Sequence, residues 1–341
     1  MGVNEQTKIL LLGGGALGSI FGWRLQEGGC FVSVICRSNY EVVKASGYQI
    51  ESVKYGNGNF VPDMVFKSCS EAIAKSDFVY DYILICTKSL PNISNPADLL
   101  KGCSVSESTV IVLIQNGIDI EKYFFEVFPK NVLISATAYI DTKQTDSGVI
   151  VHGERVSLYY GLYRPEGADG EVDAGKEAKS QALLEKLERC LVSGNVDSKI
   201  LENIQRERWN KLIWNSTLNP ISVLSGGSNS KEMLENPNIR QLVVNAMKET
   251  ISVGEAVVKM PLEDFPSEDI PDLLIGQMLK RKNAVYPSMM MDYMFKRPME
   301  HEVILHNAIK YADRLGIDVP ILKTIYALIL GTEAKYLKRA K

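Results

Sequence analysis

The chain has 341 residues, which at roughly 150 residues per domain suggests about two domains. A hydrophobic share of 45% and a charged share of 23% allow a well-packed core and exclude wholesale disorder. A net charge of −3 excludes a general electrostatic pull on nucleic acid or an anionic membrane, and leaves room only for a local pocket for one small anion.

The start, Met1 to Lys8, is polar and lacks the charged-then-apolar order of a secretory signal. Lys8-Ile9-Leu10-Leu11-Leu12 is a short apolar run that ends in glycines. Similar runs follow at Phe31–Ile35, Tyr82–Cys86, Val110–Ile114 and Val132–Ala136. Runs that are apolar at nearly every position fit strands covered on both faces, hence a parallel sheet with crossover helices. All fall far short of the roughly 20 residues that span a bilayer, so no membrane segment is expected. From Gly148 to Gly161 the pattern predicts an antiparallel hairpin at the sheet edge. Gly161 to Lys179 reads as a solvated loop, Gln181 to Leu191 as helix and Val196 to Leu201 as a last strand. Everything beyond residue 202 reads as helix. The expected fold class is α/β, with an N-terminal Rossmann-type dinucleotide-binding domain over 1–201 and a C-terminal all-helical domain over 202–341. The six cysteines, Cys30, Cys36, Cys69, Cys86, Cys103 and Cys190, show no C-x-x-C pair, and most lie in or beside apolar segments. They read as reduced thiols in a cytoplasmic protein. The three histidines are not spaced as a ligand set, so no metal site is expected.

Gly13-Gly14-Gly15-Ala16-Leu17-Gly18 joins the first strand to a helix and satisfies G-x-G-x-x-G. The chemistry needs a tight turn at Gly13, no side chain at Gly15 where backbone approaches a pyrophosphate, and close helix–strand packing at Gly18. The helix N-terminus then offers N–H groups to the phosphates. At the end of the second strand an NAD-preferring protein places an acid on the ribose; this chain has Cys36-Arg37-Ser38-Asn39. Arg37 can fork onto a 2′-phosphate, which favours NADP(H), although it also fits a solvated loop. Two further strand ends, Thr87-Lys88-Ser89 and Gln115-Asn116-Gly117, bring Lys88 and Asn116 toward the same crevice, as nicotinamide and substrate neighbours or as ordinary loop polarity.

In the helical half, Lys211, Asn215 and Asn219 are spaced i, i+4, i+8, along one strip of a helix read over Asn203 to Leu224. Leu212, Ile213, Trp214, Leu218, Ile221, Val223 and Leu224 sit around the rest of that helix, which points to a cleft wall, where desolvation would lower the lysine pKa and suit it to proton transfer. On an open surface the same lysine would be solvated, and Pro220 weakens a continuous helix. Glu300 shares a helix face with Ile304, which favours it over Glu302 as the inward acid, although a helix dipole also favours any acid there. Ser288 after Tyr286-Pro287 serves as an N-cap or as a carboxylate binder. His301 and His306 receive no role.

This constellation resembles the ketopantoate reductase family over essentially the whole chain. The resemblance rests on the glycine turn, Thr87-Lys88, Gln115-Asn116-Gly117, Lys211-x-x-x-Asn215-x-x-x-Asn219-Pro220, and Ser288 followed twelve residues later by Glu300. It implies an active site between the two domains and NADPH-dependent reduction of ketopantoate to pantoate, in pantothenate and coenzyme A synthesis. By resemblance, Lys211 protonates the nascent alkoxide, and Glu300 orients Lys211 and contacts the substrate hydroxyl. Asn215 and Asn219 bind substrate oxygens, Asn116 and Ser288 hold the carboxylate, Lys88 lies beside the nicotinamide and its ribose, and Arg37 holds the 2′-phosphate. The chain departs from the family's usual Thr-Glu-Ile-Asp/Glu with Met299-Glu300-His301-Glu302. The alternatives are a paralogue acting on another branched 2-oxo acid and a dinucleotide-binding sensor without catalysis. The expected partner is a small 2-oxo acid, with no nucleic acid and no membrane; a homodimer is compatible with the sequence, which does not set the oligomeric state.

Overall fold

The computed structural model describes residues 6–165 and 174–337. The chain divides into two compact units. The first comprises the chain up to Lys88, Pro96–Gln115 and Ile120–Ile204; the second comprises Ser89–Asn95, Asn116–Asp119 and everything from Gln205 onward. The sequence reading assigned the whole of 1–201 to one domain. The structure instead transfers two short pieces of that stretch to the helical unit, because their partners lie there.

The first unit is built on one mixed sheet. Its strands are β1 (Lys8–Leu12), β2 (Phe31–Ile35), β3 (Tyr48–Ser52), β4 (Gly58–Phe60), β5 (Met64–Phe66), β6 (Tyr82–Ile85), β7 (Val110–Leu113), β8 (Leu133–Asp146), β9 (Val149–Leu162) and β10 (Asp197–Ile200). Their spatial order is β4-β3-β9-β8-β7-β6-β1-β2-β5, with β10 also paired to β9. The central ladder is parallel. Its helices are α1 (Ala16–Glu27), α2 (Tyr40–Ser46), α3 (Cys69–Lys75), α4 (Lys122–Val127) and α5 (Ala174–Ser193). Along β1, Ile9 and Leu11 enter one apolar cluster with Phe21, Val32, Val34, Leu84 and Val112. Leu10 and Leu12 point to the opposite face and are buried as well. Burial on both faces is why these strands read as continuous apolar runs. Strand β1 lies between β2 and β6, so the chain leaves it to one side and later returns on the other. That reversal opens a crevice at its carboxyl end, where the glycine turn sits.

Several expectations are corrected. The hairpin is formed by β8 against β9, with Gly148 at φ 71° in the turn, so Val149–Tyr160 is one strand of it rather than both. The first residues of β8 join β7 in parallel, and the strand then runs on into solvent-exposed positions that an apolar-run criterion does not register. Strands β3, β4 and β5 were not expected, since they are short and β3 alternates buried with exposed positions. The segment read as a loop over Gly161–Lys179 begins inside β9 and ends inside α5; residues 166–173 lie outside the described residues. Cys69 and Cys103 form a disulfide with Cα atoms 4.5 Å apart, so not all six cysteines are reduced thiols. Their separation of 34 residues carries no local signal, because packing of the start of α3 near the turn after Leu100 brings them together.

The second unit is helical: α6 (Ile204–Asn215), α7 (Leu218–Leu224), α8 (Ser230–Glu235), α9 (Pro237–Val258), α10 (Ile270–Leu279), α11 (Ser288–Met294), α12 (Asn307–Leu315) and α13 (Pro320–Leu337). Buried Trp209, Leu212, Ile213, Met247, Val303, Ile304 and Leu322 form its interior. Trp209 meets Tyr311 edge-on, with ring centroids 5.8 Å apart. Among the described residues no helix is long and apolar enough to cross a membrane.

Candidate active site

In the first unit the glycine turn has the shape its chemistry requires. Gly13 has φ 105°, and a Cβ there would lie 2.9 Å from the backbone of Cys86 and Thr87. A Cβ at Gly18 would lie 2.2 Å from the Gly13 carbonyl oxygen, so helix and strand pack too closely for a side chain. At Gly15 a Cβ would meet nothing within 4 Å; this glycine leaves an open face. It also caps α1, which has no side-chain cap and no acid in its first turn. Its first N–H groups therefore face that opening with no anionic side chain of the helix competing for them. Ala16 and Leu17 continue the turn into α1, half-buried. The Gly14 carbonyl accepts from Asn39 Nδ2 at 2.8 Å and from Tyr48 Oη at 2.9 Å, both buried. Neither residue was singled out in the sequence, although Asn39 lies only two positions beyond Arg37. Arg37 and Ser38 themselves are exposed at the end of β2. This cradle fits the pyrophosphate of a dinucleotide, and the exposed guanidinium fits an added phosphate on its ribose.

In the second unit the structure brings three of the expected residues together. Lys211 Nζ donates to Asn116 Oδ1 at 3.0 Å. Asn116 Nδ2 reaches Glu300 Oε2 at 3.5 Å, and Ser89 N–H donates to Glu300 Oε1 at 3.0 Å. Glu300 is 6% exposed, whereas Lys211 is half-buried. An ammonium, an amide and a carboxylate thus lie in one connected line, drawn from α6, the 116–119 segment and the turn before α12. Glu302, the rejected acid, turns elsewhere and accepts from Tyr326 Oη at 2.6 Å and His306 Nδ1 at 2.7 Å.

Each residue of the segment 116–119 is tied into this unit. Arg208, 2% exposed on α6, donates to the Gly117 carbonyl at 2.9 Å. Ile118 N–H donates to Val303 O at 3.0 Å, and its carbonyl accepts from Asn307 Nδ2 at 2.9 Å. Asp119 Oδ1 accepts from Tyr311 Oη at 2.7 Å. Val303 O is available because Glu302–His306 is a π-helical turn: Asn307 N–H bonds back to Glu302 O, five residues away, and skips Val303. An Arg three positions before Lys211, hence on the same helix face, was the visible signal for Arg208, although its burial was not; the π turn had none.

The remaining expected residues are placed less closely. Asn215 and Asn219 are 8% and 2% exposed, but they stand on different helices, since α6 ends at Asn215 and α7 begins at Leu218. The single helix read over Asn203–Leu224 is therefore corrected to two. Pro220 is the reason: it has no N–H to carry a helical ladder forward, and it is tolerated in a first turn, where that N–H has no partner anyway. Asn219 Nδ2 is buried without a hydrogen-bond partner. Ser288 is exposed and is the first residue of α11, with Pro287 in the cap position and no side-chain capping bond, so it is not the N-cap. Lys88, half-buried, ends the first of the three chain segments that make up the first unit.

A Rossmann-type unit with an open phosphate cradle, followed by a helical unit carrying a lysine–amide–carboxylate line that ends in a buried acid, defines a class of two-domain dinucleotide-binding reductases. The chain matches the description Ketopantoate reductase PanE/ApbA over residues 9–165 and Ketopantoate reductase PanE/ApbA C terminal over residues 203–333. It belongs to the ketopantoate reductase family. The crystal structure of 2-dehydropantoate 2-reductase from Methylococcus capsulatus is 34% identical, with a TM-score of 0.77 and coverage of 96% of this chain and 97% of that one. The 2-dehydropantoate 2-reductase of Nostoc sp. is 26% identical over 94% of each chain. The meiotically up-regulated gene 72 protein of Schizosaccharomyces pombe is 27% identical over 95% of this chain, which spans only 56% of that relative's length.

Proposed function

We propose that this protein reduces a branched 2-oxo acid, ketopantoate foremost, to the 2-hydroxy acid with NADPH. The observation that carries this reading is the Lys211–Asn116–Glu300 line, with Lys211 Nζ held 3.0 Å from Asn116 Oδ1. When bound, the reduced nicotinamide supplies a hydride. The protein's own task is to stabilise the negative charge that then develops on the substrate oxygen. Lys211 is the cation for it: its ammonium steadies the alkoxide and gives it a proton. Glu300 and Asn116 hold that ammonium in one orientation, because a charge-assisted hydrogen bond restricts an otherwise flexible side chain. Asn215 and Asn219 donate to substrate oxygens, and the unpartnered Asn219 Nδ2 supports this, since a buried donor without an acceptor costs about 1–3 kcal/mol. Asn116 and Ser288 bind the carboxylate. In the first unit the turn Gly13–Gly18 cradles the pyrophosphate, Arg37 holds the 2′-phosphate and Lys88 lies beside the nicotinamide ribose.

Loss of NADPH absorbance on addition of ketopantoate, against other branched 2-oxo acids and a blank, tests the reading directly. Lys211→Ala is expected to lower kcat by about 10²–10⁴-fold while NADPH still binds, followed by its fluorescence. Unchanged turnover would remove Lys211 from its role. Tight NADPH binding with no 2-oxo acid turned over would leave a dinucleotide-binding protein without catalysis.

A further inference from the structure

The motif G-x-G-x-x-G leaves its second position free, yet this chain carries a glycine there too, Gly14. Gly14 does not adopt a positive φ, so backbone conformation does not require it. Space does: a Cβ there would collide with Tyr48 Oη and lie 2.9 Å from Cys36 Cβ. The Tyr48 hydroxyl takes the place of a side chain and donates to the Gly14 carbonyl at 2.9 Å, and Asn39 Nδ2 donates to the same oxygen at 2.8 Å. One bond satisfies a buried carbonyl; two, from different elements, also fix its direction. Tyr48, on β3, is 0% exposed and stacks on Phe60 with ring centroids 5.7 Å apart. Burial raises its phenol above the ordinary value, so it stays protonated and a donor. Asn39, 3% exposed, exchanges bonds of 3.0 and 2.9 Å with Gln144, which hold its amide in place. Both residues act through the backbone. The Gly14–Gly15 bond is trans, and in a trans peptide the carbonyl and the following N–H point in opposite directions. The Gly14 oxygen turned inward therefore turns Gly15 N–H outward, where Gly15 is exposed and a Cβ would meet nothing within 4 Å. Three successive glycines would otherwise be the loosest stretch of this backbone, and ordering them on binding would cost affinity.

We propose that Tyr48 and Asn39 are positioning residues for the dinucleotide: they hold the Gly14–Gly15 peptide so that Gly15 N–H is aimed at the pyrophosphate before it arrives. This rests on the dinucleotide reading of the first unit and adds to it two residues that work from beneath the cradle. The experiment titrates NADPH and NADH by fluorescence into wild type and Tyr48→Phe, which keeps the ring and loses only the hydroxyl. Both Kd values rise by the same factor, about 3- to 10-fold, as expected for one lost hydrogen bond, because both nucleotides carry the same pyrophosphate. The melting temperature of the ligand-free variant shifts little, since Asn39 still satisfies the Gly14 carbonyl, while amide exchange read by mass spectrometry quickens over Gly13–Gly18. Asn39→Ala, which removes the other bond, weakens both nucleotides alike and keeps the test from resting on one variant. Gly14→Ala, which displaces the Tyr48 hydroxyl, weakens both in wild type and adds less in the Tyr48→Phe background, because the two changes act on one contact. Unchanged Kd values overturn the proposal, since the bonds then only satisfy a buried carbonyl. A loss confined to NADPH overturns it, as it would mark a reader of the 2′-phosphate. Full additivity of Gly14→Ala and Tyr48→Phe overturns it, and so does a marked fall in melting temperature with faster exchange throughout the first unit, the sign of general loosening. If wild type binds neither nucleotide, the dinucleotide reading falls first and takes this one with it; binding of either by wild type keeps the two failures distinct.

Discussion

At the scale of single residues, chemistry depends on which polar groups are left without a partner inside the protein and which are fixed by one. Lys211 is fixed: its ammonium is bonded to an amide that itself reaches a carboxylate. Arg37 is the opposite case, exposed at the end of β2 beside a cradle whose Gly14 carbonyl is pinned by two buried side chains. On the proposed reading, a pinned loop with an exposed guanidinium at its rim would discriminate by charge. Arg37→Ala is therefore expected to weaken NADPH binding about 10- to 100-fold and NADH binding far less, as one charge-assisted hydrogen-bond pair allows. Titration of both nucleotides by fluorescence checks this. Equal losses would mean that Arg37 does not read the extra phosphate.

At the scale of elements, the four residues Asn116–Asp119 act as a peg in the helical unit. The socket is made by a helix defect. The π-helical turn Glu302–His306 leaves the Val303 carbonyl without its usual helical donor, and Ile118 N–H takes that place. Next to it, Gly117 has φ 90°, and a Cβ on it would lie 2.5 Å from Val303 O and 2.6 Å from Val303 Cβ. Only glycine lets the peg seat and brings Asn116 to Lys211. Gly117→Ala carries about 1–3 kcal/mol of backbone strain before the clash is counted. Expected results are a lower melting temperature and a lower kcat, since relief of the clash withdraws Asn116 from the ammonium. A variant with wild-type stability and turnover would show that the peg is not needed. The break between α6 and α7 belongs to the same scale, because it sets the directions of Asn215 and Asn219 independently.

At the scale of the whole molecule, charge buried in the helical unit makes stability depend on pH. Glu333, 6% exposed, accepts from Met299 N–H at 2.7 Å and pairs with His301 Nε2 at 2.9 Å. Burial alone would raise its carboxyl pKa, but the bonds from His301 and Met299 outweigh burial and hold it below the usual carboxylate value. A carboxyl depressed in the folded state stabilises the fold above its unfolded pKa, and that contribution is lost as pH falls through the folded value. Acidification below about 4.5, the ordinary carboxylate value, should therefore erode stability. Glu333→Gln is expected to lower stability near neutrality by about 1–3 kcal/mol and to flatten this acid limb, as urea denaturation across pH would read. A variant whose stability follows the wild-type pH profile would sink the assignment.

What could be read from residues alone is what local chemistry imposes. Continuous apolar runs betray strands covered on both faces, and a glycine turn between strand and helix betrays a phosphate cradle. Asn116 was found at a strand end, Lys211 by its i, i+4, i+8 spacing with Asn215 and Asn219, and Glu300 by the helix face it shares with Ile304. Other features needed the folded chain, because they join residues far apart in sequence or depend on backbone detail that side-chain type does not encode. Short β3, β4 and β5 carry too few apolar positions to register, and Cys69 met Cys103 only through packing. The freed Val303 carbonyl follows from a π turn, and the two bonds on the Gly14 carbonyl follow from where Asn39 and Tyr48 come to rest. The sequence by itself determined the fold class and singled out Lys211, Asn116 and Glu300, since periodicity and turn chemistry are local. Tertiary structure alone decided which of those groups touch, because a hydrogen bond of about 3 Å between residues some two hundred positions apart exists only once the core has closed.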